Sequence, residues 1–176
     1  MSTDPQPKPV AVPTPDDDVH PVPIPFAEPW QYELSLPCDP RGPRIARTTL
    51  RAVLTAHGLT ELTYRAELLA SELTTNSVLH TRGRATVRLH WMYPVLRVSV
   101  WDMSPDLPQP RRPHVDTESD SGRGMAILDL VADRWGGCAM GEEPYGPGGK
   151  TMWFEVAMNG SPPPDPDGGA VSTLVA

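Results

Sequence analysis

Apolar positions along the chain change period several times, and each change marks an element. In "WQYELSLP", Tyr32, Leu34 and Leu36 alternate with more polar residues, the period of a strand with one buried face, and Pro37 ends it. "PRIARTTLRAVLTAHGL" spaces Ile45, Leu50 and Leu54 as one stripe of a helix and closes on Gly58, a residue suited to a helix C-cap. "TELTYRAELLASELTTNSVLHT" keeps a helical pattern from Thr60, the candidate N-cap, to His80. Two alternating runs, "ATVRLHWM" and "VLRVSVWD", flank Tyr93-Pro94 and predict an antiparallel hairpin ending at Asp102.

Beyond Asp102 the periodicity stops. Met103 to Ser121 is rich in Pro, Asp and Ser and longer than most connections, the character of a lid or binding loop. "GRGMAILDLVADRW" then predicts a short helix from about Gly124, and "GGCAM" and "GGKTMWFEVAM" predict two closing strands around a Gly/Pro-rich loop. Trp135, Trp153 and Phe154 are assigned to the core. The order strand, helix, helix, two strands, loop, helix, two strands predicts an α+β two-layer sandwich: a mixed, largely antiparallel sheet with helices on one face. Residues 1–29, dominated by Pro and carrying Asp16-Asp17-Asp18, and residues 159–176 lack apolar periodicity and are expected to be disordered arms. The folded domain is expected over residues 30–158, an ordinary size for one core.

Composition narrows the function classes. The 176 residues carry a formal net charge of -7, and the Lys and Arg side chains are scattered, so no basic stripe offers a phosphate-neutralising surface and direct nucleic-acid binding is not expected. The N-terminus shows neither a basic n-region nor an apolar h-region, and no apolar run suits a bilayer, which predicts a cytoplasmic protein without membrane contact. Cys38 and Cys138 are isolated, with no CxxC or Cys/His cluster, so neither a zinc site nor a disulfide framework is indicated.

Chemistry enters with "SELTTNSVLH". Glu72 and Asn76 are four residues apart, hence neighbours on one helical face, and they sit beside Leu68, Leu69 and Leu79, which implies partial burial. Polar groups at the edge of a core need partners, supplied by a ligand or by each other and the helix. Three further signals follow in order: Asp102 at a strand end, "SGRGM" before a helix, and "GGKT" opening a strand. Each has a structural alternative, the Asp as a turn former and the glycines as backbone punctuation. Lys150 is a minor candidate for a phosphate contact, the alternative being a surface position, and His80 is a helix-end residue favoured there by the dipole.

Taken together, the four signals resemble the GHKL ATPase superfamily, with Glu72 and Asn76 as its N box, Asp102 its first glycine box, Gly122-Arg123-Gly124 its second and Thr151 the later threonine. The compact single-domain form is similar to the anti-sigma-factor serine/threonine kinases. The resemblance implies a histidine kinase-like ATPase fold, with ATP and Mg²⁺ as ligands. It implies that Asp102 accepts a hydrogen bond from the adenine amino group, that Thr151 supports that end of the base, and that Asn76 is the Mg²⁺ ligand. It makes Glu72 the general base and places phosphate oxygens on backbone amides around Gly122 and Gly124, with Arg123 adding positive charge. The implied partners are a sigma factor or an anti-sigma antagonist protein, with a homodimer left open. A non-enzymatic, nucleotide-responsive interaction module is the rival reading.

Overall fold

Alternation along the strands sets one face of a sheet against helices and leaves the other outside. The computed structural model describes residues 22–81, 83–107, 123–140 and 148–160. Its elements are β1 (Trp30–Leu36), α1 (Gly42–Ala56), α2 (Thr60–His80), β2 (Ala85–Met92), β3 (Val95–Asp102), α3 (Arg123–Val131), β4 (Arg134–Met140) and β5 (Gly149–Ala157). The strands form one sheet in the order β1-β2-β3-β5-β4. Every pairing is antiparallel, so this α+β two-layer sandwich carries no parallel pair among the described strands. Of the disordered arms expected at the two termini, residues 1–21 and 161–176 lie outside the described residues, as does most of the loop after Met103.

Leu96, Val98 and Val100 of β3, with Met152, Phe154 and Val156 of β5, face the helices and are buried. From the helices come Leu50 and Leu54 of α1, Leu62, Ala66, Leu69, Ala70 and Leu73 of α2, and Leu128 of α3. Each fully buried Leu or Phe contributes about 1.5–3 kcal/mol, so this layer supplies most of the stabilisation. α2 is the central helix, packed between α1 and α3 and against β3 and β5.

The α1 stripe keeps the expected Leu50 and Leu54 and departs from expectation only at Ile45. Gly42, Ala46, Leu50 and Leu54, at i+4 intervals, are buried, while Ile45 is 46% exposed. The end of α1 follows the glycine rule: Gly58 has φ 71°, its N–H bonds Thr55 O, and Leu59 N–H bonds Leu54 O, which is a Schellman closure. Thr60 is the first helical residue of α2 and not its cap; Leu59 occupies the cap position without a side-chain bond.

Two polar clamps orient the helices. Arg51 of α1 bonds Glu67 of α2 through both carboxylate oxygens, the longer contact at 2.7 Å. Arg65 of α2 donates to Val131 O at 3.1 and 2.7 Å, holding the C-terminal end of α3, and to Asp133 Oδ1 at 2.6 Å. The second oxygen of Asp133 accepts the Ala157 N–H at 2.7 Å, so one carboxylate joins α2 to the last strand. Burial pushes that carboxyl up, but the hydrogen bonds from Arg65 and Ala157 together with the Arg65 charge outweigh it and leave it below its usual range.

The N-terminal boundary moves outward. Phe26, assigned by composition to the disordered arm, packs edge-on against Trp91 at 5.8 Å, and its carbonyl accepts the Trp91 indole N–H at 2.8 Å. Trp153 also departs from expectation. It shares the outer sheet face with Glu155, where the Arg97 guanidinium lies over its ring at 4.0 Å. Among the described residues no helix is long and apolar enough to cross a membrane.

Candidate functional site

One turn of α2 touches both the third helix and the sheet. Successive residues point about 100° apart around a helix, so Asn76 and Ser77 serve different neighbours. Glu72 and Asn76, both half-buried, face the start of α3. A Cβ built on Gly124 would stand 3.1 Å from Glu72 Oε2 and 3.2 Å from Asn76 Nδ2. A glycine at this position lets the α3 backbone come within reach of both polar groups, which a larger side chain would push apart. Leu79, expected to shelter the pair, is 69% exposed.

Ser77 points to the sheet. Its hydroxyl donates to Asp102 Oδ2 at 2.9 Å, and both residues are about 2% exposed. The other oxygen, Oδ1, accepts two hydrogen bonds, one from the Ser104 N–H and one from the Lys150 ammonium, each at 2.9 Å. The turn-forming alternative for Asp102 is therefore realised: the Ser104 bond is an Asx turn, extended by the Asp106 N–H on Ser104 Oγ at 3.3 Å. It is also more than a turn, because a buried carboxylate now links α2, β3 and β5.

Lys150 fits neither of its expected places. It is neither on the surface nor free for a phosphate: its side chain is 7% exposed, it forms an ion pair with Asp102, and it reaches Ser104 O at 3.5 Å. A buried ammonium of this kind persists because its carboxylate lies beside it. The sequence signal was available in the cross-strand register, where Asp102 and Lys150 are directly opposite. That register follows from the β5 alternation once β3 is known to end at Asp102.

Thr151 is not brought to this cluster. It pairs with Trp101 and Cys138, and since neighbouring strand residues point to opposite faces, its side chain lies on the sheet face away from Asp102, Lys150 and α2. Gly149, just before, has φ 137°, and a Cβ there would collide with Asp102 O at 2.1 Å. Glycine is thus required where β5 enters beside Asp102. Gly122 and the side chain of Arg123 lie outside the described residues.

The structure brings together Glu72, Asn76 and Gly124 on one side of α2, with Asp102, Ser77 and Lys150 on the adjoining side. No group of three or more His, Cys, Asp or Glu that could hold a metal ion is found among the described residues. The Asn76 amide and Glu72 carboxylate supply hard oxygen donors within one helical turn. That set fits Mg²⁺ carried in by phosphate oxygens and water, the mode this ion favours over an all-protein cage. No family model matches the chain, and no curated protein matches it.

Proposed function

We propose that this protein binds ATP·Mg²⁺ and transfers its γ-phosphoryl group to a serine or threonine of a partner protein, as the anti-sigma-factor kinases it resembles do. The observation that carries the reading is the approach of Gly124, at the first turn of α3, to Glu72 and Asn76. A glycine at a helix start beside a carboxylate and an amide suits a phosphate: N–H groups unsatisfied by the helix and the positive end of its dipole favour the anion. Asn76 holds the metal, assisted by water, and Mg²⁺ supplies neutralisation of phosphate charge. Glu72 takes the proton of the attacking hydroxyl as its oxygen bonds to the γ-phosphorus and ADP leaves. Asp102 holds the amino group of the base. Lys150 assumes the place beside Asp102 that the resemblance gives to Thr151. The partners in this reading are a sigma factor or an anti-sigma antagonist protein, in the cytoplasm.

The Lys150–Asp102 ion pair favours a second reading. A carboxylate already neutralised within the fold gains less from a ligand amino group, which suits a nucleotide-responsive interaction module without phosphoryl transfer. Incubation with γ-labelled ATP, Mg²⁺ and proteins encoded beside this one separates the two. Label on a partner hydroxyl, lost in Glu72→Gln, supports the kinase. ATP-dependent partner capture without label supports the module.

A further inference from the structure

Asp102 has two oxygens and about four lone-pair positions. Both positions on Oδ1 are filled, by the Ser104 N–H and the Lys150 ammonium, and one on Oδ2 is filled by Ser77. At most one acceptor position therefore remains, on Oδ2. By this count a ligand that donates a single hydrogen bond finds one acceptor position. A ligand that needs both oxygens at once cannot.

We infer that Lys150 is a specificity-determining residue: by filling Oδ1 it restricts Asp102 to bases presenting one donor, as the adenine 6-amino group does, and rejects the two-donor edge of guanine. The inference rests on the nucleotide reading given above. Guanine presents N1–H and N2–H side by side, a match for a carboxylate with both oxygens open. In this site its second donor stays unpaired, which lowers affinity roughly tenfold. Three features make Lys150 the controlling group. Its ammonium is carried on a side chain and can be removed, whereas the Ser104 donor is backbone. It lies directly across the strand pair from Asp102. And it is buried with that carboxylate, so water does not loosen the contact. Ser77 fills a position on the other oxygen, so its removal leaves Oδ1 closed.

Binding of ATP, GTP and ITP to the full chain in Mg²⁺, for wild type, Lys150→Met and Ser77→Ala, tests this. ITP carries the guanine N1–H but lacks the 2-amino group. In wild type, ATP binds tightest and GTP binds no tighter than ITP. In Lys150→Met the preference for ATP over GTP shrinks by about tenfold and GTP overtakes ITP, because Oδ1 regains an open position. Ser77→Ala keeps the wild-type order. The wild-type comparison needs no variant to fold: GTP binding more tightly than ITP there overturns the inference, because the second donor would have found an acceptor. An ATP preference unchanged in a folded Lys150→Met overturns it too and leaves the nucleotide reading standing. Absence of ATP binding by wild type overturns that reading and this inference with it.

Discussion

Gly124 lies against Glu72, so close that a methyl group added to it would come within 3.1 Å of the carboxylate oxygen Oε2. The atoms it would meet are the far ends of Glu72 and Asn76, which can turn aside.

Gly124→Ala is therefore expected to leave folding nearly unchanged. Alanine in a helix gains up to about 1 kcal/mol over glycine, which offsets the displacement of two side-chain tips. Binding of ATP·Mg²⁺ weakens, because Glu72 and Asn76 no longer sit at the α3 backbone. Thermal melting beside nucleotide titration checks both halves; a melting point well below wild type would show that the glycine serves packing alone.

Asp102→Asn acts on stability as well as on any ligand. It leaves the Lys150 ammonium buried without its carboxylate, and removing one partner of a buried pair costs about 3–5 kcal/mol. Adding Lys150→Met restores part of that loss, since neither charge then remains inside. Denaturant unfolding of both single variants and the double one measures the coupling. Additive losses would mean that the two groups do not depend on each other.

Arg65→Met removes the donors that hold the last carbonyl of α3 and the Asp133 carboxylate. A loss of about 1–3 kcal/mol is expected, the range for deleting hydrogen bonds of a charged group. Hydrogen exchange should quicken in α3 before it does in β2 and β3. Uniform quickening across the domain would contradict the clamp.

Protonation of His57 gives a pH dependence. The ring stacks on Trp30 at 4.4 Å and its Nε2 meets the Tyr32 hydroxyl at 3.0 Å, and burial holds its pKa below the ordinary value. The unfolded chain then binds the proton more readily than the folded one. This contribution is full above the unfolded value of about 6.5 and is lost as pH falls from there through the folded pKa. Unfolding measured at pH 7.5 and at about 5.5 should show the drop in wild type, reduced in His57→Gln. An equal drop in the variant would assign it to other groups.

The elements were legible because their periods differ: strict alternation in β2 and β3, and Gly58 closing α1 at the left-handed position it requires. What escaped was tertiary. Ile45 and Ala46 are both apolar, and local pattern favoured the larger, while the i+4 stripe from Gly42 buries the smaller. Phe26 stands in Pro-rich sequence, and its place is set by an aromatic neighbour 65 residues away. In the candidate site, Glu72 and Asn76 were visible as a polar pair beside apolar residues on one helical face, and Asp102 as a carboxylate ending a strand. Lys150 stood out only as a candidate phosphate contact or surface residue, because a lysine is ordinarily exposed, and only the cross-strand register brings it to Asp102. The same parity carries Thr151 to the other face. Ser77 gave no local signal, being one of several hydroxyl residues on α2, until the helix was seen to cross the end of β3.

The central claim is that Asn76, beside Glu72 and the start of α3, holds a magnesium nucleotide. Calorimetric titration of the full chain with ATP, in Mg²⁺ and in EDTA, for wild type and Asn76→Ala, tests it most directly. The account predicts saturable single-site binding by wild type in Mg²⁺, weakened at least tenfold by EDTA and by Asn76→Ala alike. Equal ATP affinity in all of these conditions, or no binding by wild type, would contradict it.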